Sequence, residues 1–200
     1  MTAEWPSDFH NTMYTEMDMA TQIDPFTTIW WQTFVSPRVA TWRAYRPVSC
    51  DEIEEWAQPL LAELRKAYLE SVVPYLNEPF ETLTWEKIQA FPNAVAKAKR
   101  RRKDLSVQTS PVFRSKVSHW VAPRLYPVAD DELLGVSSSY ELYWKEVHRM
   151  WSATPEGEQS LMASRLRTEI ERVSSYPVHP HYPMEVKIVE LALVGRRFPQ

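Results

Sequence analysis

The sequence contains little glycine, a single cysteine and no long apolar run. Three glycines in 200 residues argue against phosphate-cradling loops and the tight turns of many enzyme sites, because these need residues with positive φ. Cys50 is the one cysteine, which excludes an internal disulfide framework. No stretch approaches the roughly 18 apolar residues of a membrane helix, and no basic and then apolar leader is present. We therefore expect neither a membrane partner nor export by a signal peptide.

Familiar catalytic and metal-binding motifs are missing as well. The sequence has no G-x-S-x-G, P-loop, G-x-G-x-x-G or H-E-x-x-H pattern. Cys50 is followed by acidic residues that would oppose a thiolate, and His148 falls in an aromatic stripe typical of a structural histidine. His179 and His181 could offer two metal nitrogens, but no further ligands accompany them at suitable spacing. We expect no enzyme activity, cofactor, metal or small-molecule substrate, although scattered carboxylates could still meet in space.

Proline and tryptophan, by contrast, are abundant, with 16 and nine residues. Prolines and large aromatic side chains together favour extended segments that lie across a surface. Residues 1–48 show no sustained helical period and predict an extended N-terminal arm, whose aromatic side chains would be buried between copies of the chain. The candidate interface residues are Trp30, Trp31, Phe34 and Trp42.

Helix patterns concentrate in residues 49–175, the predicted core domain. Ser49 and Glu52 form a capping box that predicts the start of the first long helix. An apolar stripe then continues from Leu60 to Tyr75, after a kink expected at Pro59.

A second capping box, Ser138 with Glu141, predicts another amphipathic helix. Its inward face comprises Tyr140, Tyr143, Trp144, Val147, Met150 and Trp151. Pro155 predicts the start of the next helix, and the short link before it makes the two helices antiparallel neighbours. The inward residues of that next helix are Met162, Leu166, Ile170 and Val173.

The remaining segments are less regular. Pro92 would occupy the first position of a helix that ends in a basic run, and residues 104–129 predict a long ordered loop or a short strand around Val117 to Ala122. Residues 176–200 predict a C-terminal tail, in which residues 184–194 favour a strand, with a helix closed by Gly195 as the alternative. The fold class is therefore mainly α, with a four-helix bundle-like core, an extended arm, a tail and possible short β-strands.

Charge is segregated along the chain, although the net charge is only −3. Six cations occupy the seven positions from Lys97 to Lys103, and on a helix they would point in every direction, so no rotation could bury one face without burying charge. Residues 97–125 carry nine Lys and Arg against Asp104, a net +8, whereas residues 51–86 carry nine acids against two basic residues, a net −7. The candidate nucleic-acid-binding residues are Lys97, Lys99, Arg100, Arg101, Arg102, Lys103, Arg114, Lys116 and Arg124.

Three interpretations of this basic segment remain open. It can contact nucleic-acid phosphates, with Phe113 and Trp120 stacking on bases. It can dock an acidic protein partner, which would make the chain an adaptor or regulator. It can also be a solvated surface that the chain's own acids neutralise, with the two rings packed in the core. We favour the phosphate contacts, with little base selectivity.

Two short patches carry a resemblance to a known group of proteins. They are IWWQTF near position 30 and NAVAKAKRRRKD before a proline-containing loop. In these patches and in the order of its segments the chain resembles the coat subunits of helical viruses, both rod-shaped plant viruses and, more loosely, filamentous archaeal viruses. The resemblance implies a helical core, arms that lie on adjacent subunits, and backbone contacts to nucleic acid from Lys97 to Lys103. It also implies a non-enzymatic structural subunit, in a virion or inside a cell, whose partners are nucleic acid and copies of itself.

Overall fold

A computed structural model describes residues 60–97, 111–129 and 139–197, together with positions 11, 14, 15, 26 and 27. The predicted helix start at Ser49 and most of the predicted arm lie outside these residues. The helices are α1 (Leu61–Ser71), α2 (Trp85–Ile88), α3 (Ala90–Ala96), α4 (Pro111–Val121), α5 (Tyr140–Ser152), α6 (Glu156–Val173) and α7 (Met184–Arg197), with 3-10 turns at Val73–Tyr75 and Phe80–Thr82. No strand occurs in the described ranges. The prediction of a mainly α chain is confirmed, and the bundle arrangement stays a prediction.

Helices α1 and α5 form where the apolar period of the sequence is clearest. Helix α1 buries Leu64 and Ala67, and its stripe continues into buried Val72. Helix α5 begins after Ser139, whose hydroxyl accepts a hydrogen bond from the Leu142 amide at 3.4 Å. The capping box predicted at Ser138 is therefore one residue too early. The buried face of α5 contains Tyr140, Tyr143, Trp144, Val147 and Trp151, with Met150 half-buried, as predicted.

Helix α6 is the most exposed helix of the described chain. It buries Ile170 alone among its 18 residues, while Met162 and Leu166 are half-buried. The inward position predicted for Val173 is wrong, because this last helical residue is exposed where the chain turns into an extended conformation at Ser174. Helices α5 and α6 both pack on α7, and Gln159 of α6 donates to the Trp151 carbonyl of α5 at 3.0 Å. The antiparallel pairing expected from their short link stays a prediction.

Helix α3 contains Pro92 in its first turn rather than at its first position. The helix begins at Ala90, so Pro92 is the third helical residue, where a missing amide hydrogen costs no intrahelical bond. Lys97 is the C-cap residue, and the rest of the basic run, from position 98, lies beyond the described range. The expected helix over the whole run therefore stays a prediction.

Helix α4 stands where the sequence predicted a loop or a short strand, and that prediction is wrong. Burial on nearly every side explains the error, because a helix surrounded by protein has no polar stripe to reveal its period. Its polar residues Ser115, Ser118 and His119 are buried together with its apolar ones. Pro111 suits the first helical position.

Helix α7 likewise replaces the strand favoured for residues 184–194. The apparent alternation arose from Glu185 and Lys187, which separate apolar residues. Lys187 is nevertheless buried, as is Glu190. The Lys187 Nζ atom lies 2.7 Å from Glu190 Oε2, one helical turn away, and Glu190 Oε1 accepts a hydrogen bond from the Val128 amide at 2.6 Å. Because each charge has its partner inside the protein, polar residues occupy positions that the sequence pattern assigned to solvent.

The centre of the fold is aromatic. The ring of Trp85 lies 5.7 Å from that of Tyr140, edge to face, and 5.8 Å from that of Trp144. The Trp144 indole N–H donates to the Leu125 carbonyl at 2.8 Å, which ties the segment after α4 to α5. Among the described helices, none has both the length and the apolar composition that a membrane crossing requires.

Candidate functional site

Lys97 marks the point where the basic run leaves the folded core. Its side chain is 64% exposed and forms an ion pair with Glu63 of α1. Exposed ion pairs of this kind contribute about 0–1 kcal/mol, because water and salt screen them. The pair therefore orients Lys97 without removing its charge from the surface.

The residues between α3 and α4 are anchored at both of their ends. Arg114 in the first turn of α4 donates a hydrogen bond to Asn93 Oδ1 in α3, and the two helices pack on each other. The intervening residues 98–110 include five of the six cations and the single acid Asp104. The helices on both sides of this basic segment, α3 and α4, therefore both belong to the folded core.

Arg114 has a structural role inside the core. Its guanidinium carbon lies 5.5 Å from the centre of the Trp85 ring and 5.7 Å from that of Tyr140, distances typical of cation–π contacts. Burial lowers the pKa of Arg114, while Tyr140 and Glu141 act in the opposite direction. The guanidinium is therefore committed to these rings and to Asn93, and its position does not favour the predicted phosphate contact.

The other two described candidates are less exposed than Lys97. Lys116 is only 7% exposed, so it lacks the solvent-facing position that a phosphate contact needs. Arg124 is half-buried after the end of α4, and its Nη1 donates to the Leu76 carbonyl at 3.4 Å. Of the nine predicted cations, the remaining ones, Lys99, Arg100, Arg101, Arg102 and Lys103, fall outside the described residues, as do the predicted interface residues Trp30, Trp31, Phe34 and Trp42.

The aromatic residues that alternate with these cations belong to the core. Phe113 and Trp120 are 2% and 1% exposed. Their interpretation as base-stacking platforms is therefore wrong for this conformation, because a base cannot reach a ring that protein atoms cover. The alternative, that both rings pack inside the protein, is confirmed, but they pack as part of helix α4 and not of the predicted loop.

His119 is the centre of a buried polar contact that the sequence did not reveal. Its Nδ1 lies 2.7 Å from the Tyr126 carbonyl oxygen and its Nε2 lies 2.7 Å from the Tyr14 hydroxyl. Because a carbonyl oxygen can only accept, Nδ1 donates. In the neutral ring with its proton on Nδ1, Nε2 is an acceptor, so the Tyr14 hydroxyl donates to it. Burial also raises the pKa of Tyr14 well above its ordinary value. No local pattern could predict a contact between positions 105 residues apart.

Asn11 fastens the same N-terminal region to the segment after α6. Its side-chain amide donates to Ser174 Oγ at 3.0 Å and to the Pro177 carbonyl at 2.9 Å, with a further bond to the Tyr176 carbonyl. Its Oδ1 accepts from the His179 amide at 2.9 Å. At positions 11 and 14, therefore, the predicted arm packs on the core of its own chain.

A pocket of about 310 Å³ opens where these segments meet. Its lining residues are Tyr14, Tyr68, Leu76, Asn77, Val121, Ala122, Pro123, Arg124, His179 and His181. The wall is largely apolar, and the cationic or potentially cationic groups are one arginine and two histidines. Among the described residues, no carboxylate lines it. In the sequence, His179 and His181 indicated either two metal nitrogens or, more strongly, a proline-stiffened loop, and no pattern connected them with Arg124.

A second groove, of about 650 Å³, shares Asn77 and Arg124 with this pocket but has a different charge. It is also lined by Glu81, Glu156 and Glu185. The two concave surfaces thus meet at Arg124, and among the described lining residues the acids belong to the larger one.

Neither similarity to known proteins nor a cluster of metal ligands indicates a function for this chain. No protein-family model, no curated protein and no solved structure matches the chain. Within the part of the chain that the structure describes, no three His, Cys, Asp or Glu side chains are grouped as a metal site would require. The proposals that follow depend on the residues and geometry of this chain alone.

Proposed function

We propose that this protein is a non-enzymatic structural subunit of a larger assembly, and that it binds nucleic acid through phosphate contacts of the run from Lys97 to Lys103. The observation that carries the proposal is the exposure of Lys97 at the end of α3. Its partner Glu63 is one carboxylate, whereas the run contains six cations. Because the run has more cations than this one carboxylate can neutralise, we expect a polyanion to bind there.

The expected binding mode is sequence-independent. Lysine and arginine contacts to phosphates release condensed counterions, which makes affinity steeply dependent on salt. Such contacts position a protein on nucleic acid without selecting bases. The burial of Phe113 and Trp120 supports this mode, because these rings are not available to bases.

The assembly part of the proposal is supported by apolar side chains on the surface of α5 and α6. Leu142 is 60% exposed and Leu161 is 51% exposed, and Val173 and Tyr176 are exposed as well. Helix α6 fully buries Ile170 alone, while Met162, Ala163 and Leu166 pack partly against the core and its other face is exposed. Contacts between copies would remove this apolar surface from water.

The nucleic-acid part is tested by measuring binding of a single-stranded oligonucleotide at several salt concentrations. If six cations each neutralise a phosphate, log affinity should fall against log salt with a slope of about −4 to −5. The variant R100Q/R101Q/R102Q/K103Q keeps two cations of the run, so we expect a slope of about −1.5. The matched control R149Q/R165Q/R167Q/R172Q removes the same charge from exposed positions of α5 and α6 and should behave like the parent.

Three outcomes would contradict the proposal. An affinity that does not change with salt would remove phosphate binding, and equal losses in the two quadruple variants would show a nonspecific effect of net charge. Light scattering with and without the oligonucleotide tests assembly, and a monomer under both conditions would exclude it. A different result would favour the adaptor interpretation: R100Q/R101Q/R102Q/K103Q would lose a protein complex and still bind the oligonucleotide.

A further inference from the structure

We propose that the 310 Å³ pocket between Tyr14, the end of α4 and the His179–His181 segment binds a small organic anion with an apolar body. The chemical class is an aryl or alkyl carboxylate. No residue of the basic run is among the described residues that line this pocket, and the proposal does not depend on nucleic-acid binding.

The apolar part of such a ligand has a matching wall. Leu76, Val121, Ala122 and Pro123 contribute aliphatic surface. The Tyr14 hydroxyl is engaged by His119 at 2.7 Å, so that this tyrosine offers the ligand mainly its ring carbon atoms. A concave, mostly apolar surface with few polar groups is the usual form of a small-molecule site.

Arg124 is the group that would hold the carboxylate. A guanidinium has five N–H donors, and among the described residues one of them is directed to the Leu76 carbonyl at 3.4 Å. No ion pair joins Arg124 to an acid within those residues. It therefore keeps donors for a bidentate contact with a carboxylate, the geometry that arginine favours.

The histidine segment completes the polar side of the pocket. The His181 amide donates to His179 Nδ1 at 3.1 Å, and the two rings lie 5.7 Å apart. Asn11 holds the same segment through the His179 amide. The histidines are thus set in place by backbone contacts before any ligand arrives, which reduces the entropy that binding must overcome.

The charge of the described lining favours an anionic ligand. Among the residues that the structure describes, none that lines the pocket is Asp or Glu, so a cationic ligand would find Arg124 there and no described counter-charge. The neighbouring groove differs, because Glu81, Glu156 and Glu185 offset the charge of Arg124 there. Of the two surfaces, the smaller pocket is therefore the one suited to an anion.

The test uses three probes with the same phenyl ring and different charge, titrated calorimetrically into the full-length protein. They are 3-phenylpropionate, the neutral 3-phenylpropionamide and the cationic 3-phenylpropylamine. We expect the anion to bind with a Kd of about 1 mM or tighter. The amide should bind about tenfold more weakly, since it loses a charge-assisted hydrogen bond, and the amine should show no binding.

Variants locate the binding to the pocket. R124Q should weaken 3-phenylpropionate about tenfold or more, and H181Q, at an exposed position, should weaken it by a smaller factor. R172Q on α6 removes an exposed arginine outside the pocket and should leave the affinity unchanged, as should R100Q/R101Q/R102Q/K103Q. Circular dichroism and Tm confirm that each variant is folded.

The proposal is overturned by equal affinity for the three probes or by no heat of binding with the anion at about 1 mM. It is also overturned if a folded R124Q binds the anion as the parent does. Loss of binding in R100Q/R101Q/R102Q/K103Q would place the anion on the basic run instead. Because oligonucleotide binding and anion binding are measured separately on the same variants, failure of one proposal is distinguishable from failure of the other.

Discussion

The Tyr14 hydroxyl donates a hydrogen bond to His119 Nε2 at 2.7 Å, inside the protein and across 105 positions of sequence. This contact joins the N-terminal region to α4, the helix that also borders the proposed pocket. The same tyrosine ring lies 5.5 Å from Tyr182, edge to face. Tyr14 therefore links the N-terminal region both to α4 and to the segment that precedes α7.

Replacing Tyr14 by phenylalanine should destabilise the protein. The ring contacts are kept, but the buried hydrogen bond to His119 Nε2 is lost, and such a bond contributes about 0.5–1.5 kcal/mol. The measurement is the free energy of unfolding from urea denaturation. The control is Y176F, since Tyr176 is exposed, and a Y14F protein as stable as Y176F would contradict the prediction.

Replacing Lys187 by methionine should have a larger effect. The substitution leaves the Glu190 carboxylate buried without its cation, and breaking a buried ion pair from one side typically costs about 3–5 kcal/mol. The double variant K187M/E190L should recover part of the loss, although it also removes the acceptor of the Val128 amide.

The exposed pair Glu169–Arg172 has the same i, i+3 spacing on α6 and supplies the control. R172M should cost about 0–1 kcal/mol, because an exposed pair is screened. The free energy of unfolding is compared by urea denaturation of the parent, K187M, K187M/E190L and R172M. If K187M and R172M lose a similar free energy of unfolding, the prediction is contradicted, because the buried ion pair would then matter no more to stability than the exposed one.

The stability of the protein should fall above about pH 10, where tyrosines of the unfolded chain ionise. Burial raises the pKa of Tyr14, Tyr126, Tyr140 and Tyr182 in the folded state. These phenols keep their protons in the folded protein, so their stabilising contribution is complete below the unfolded pKa and is lost as the pH rises above it. Each one should reduce the free energy of unfolding by about 1.4 kcal/mol per pH unit in that range.

Urea denaturation at several alkaline pH values measures this slope. The variant Y182F removes one of the four phenols and should make the slope shallower by about 1.4 kcal/mol per pH unit. Phenolate absorbance supplies a second observation, because the buried tyrosines should ionise together with unfolding. Complete ionisation in a protein that is still folded would contradict the prediction.

The pocket shows why a site can escape sequence analysis. Tyr14, Leu76, Val121, Arg124 and His181 come from separate parts of the chain, and no spacing rule connects them. His179 and His181 are two residues apart and were visible as a pair, but their neighbours were not. The basic run could be found, since its chemistry is contiguous in sequence.

The mainly α class, the inward face of α5 and the place where the cations concentrate could be predicted from the amino-acid sequence. A half-exposed helix repeats its apolar residues every three or four positions, and six cations in seven positions cannot all be buried. Three features became evident from the three-dimensional fold: the helical conformation of α4 and α7, the burial of Lys116 and Trp120, and the pocket that Arg124 shares with His179 and His181. A buried polar group is stabilised by partners that can be distant in the chain, such as the Val128 amide for Glu190 and Tyr14 for His119. Local periodicity carries no information about those partners.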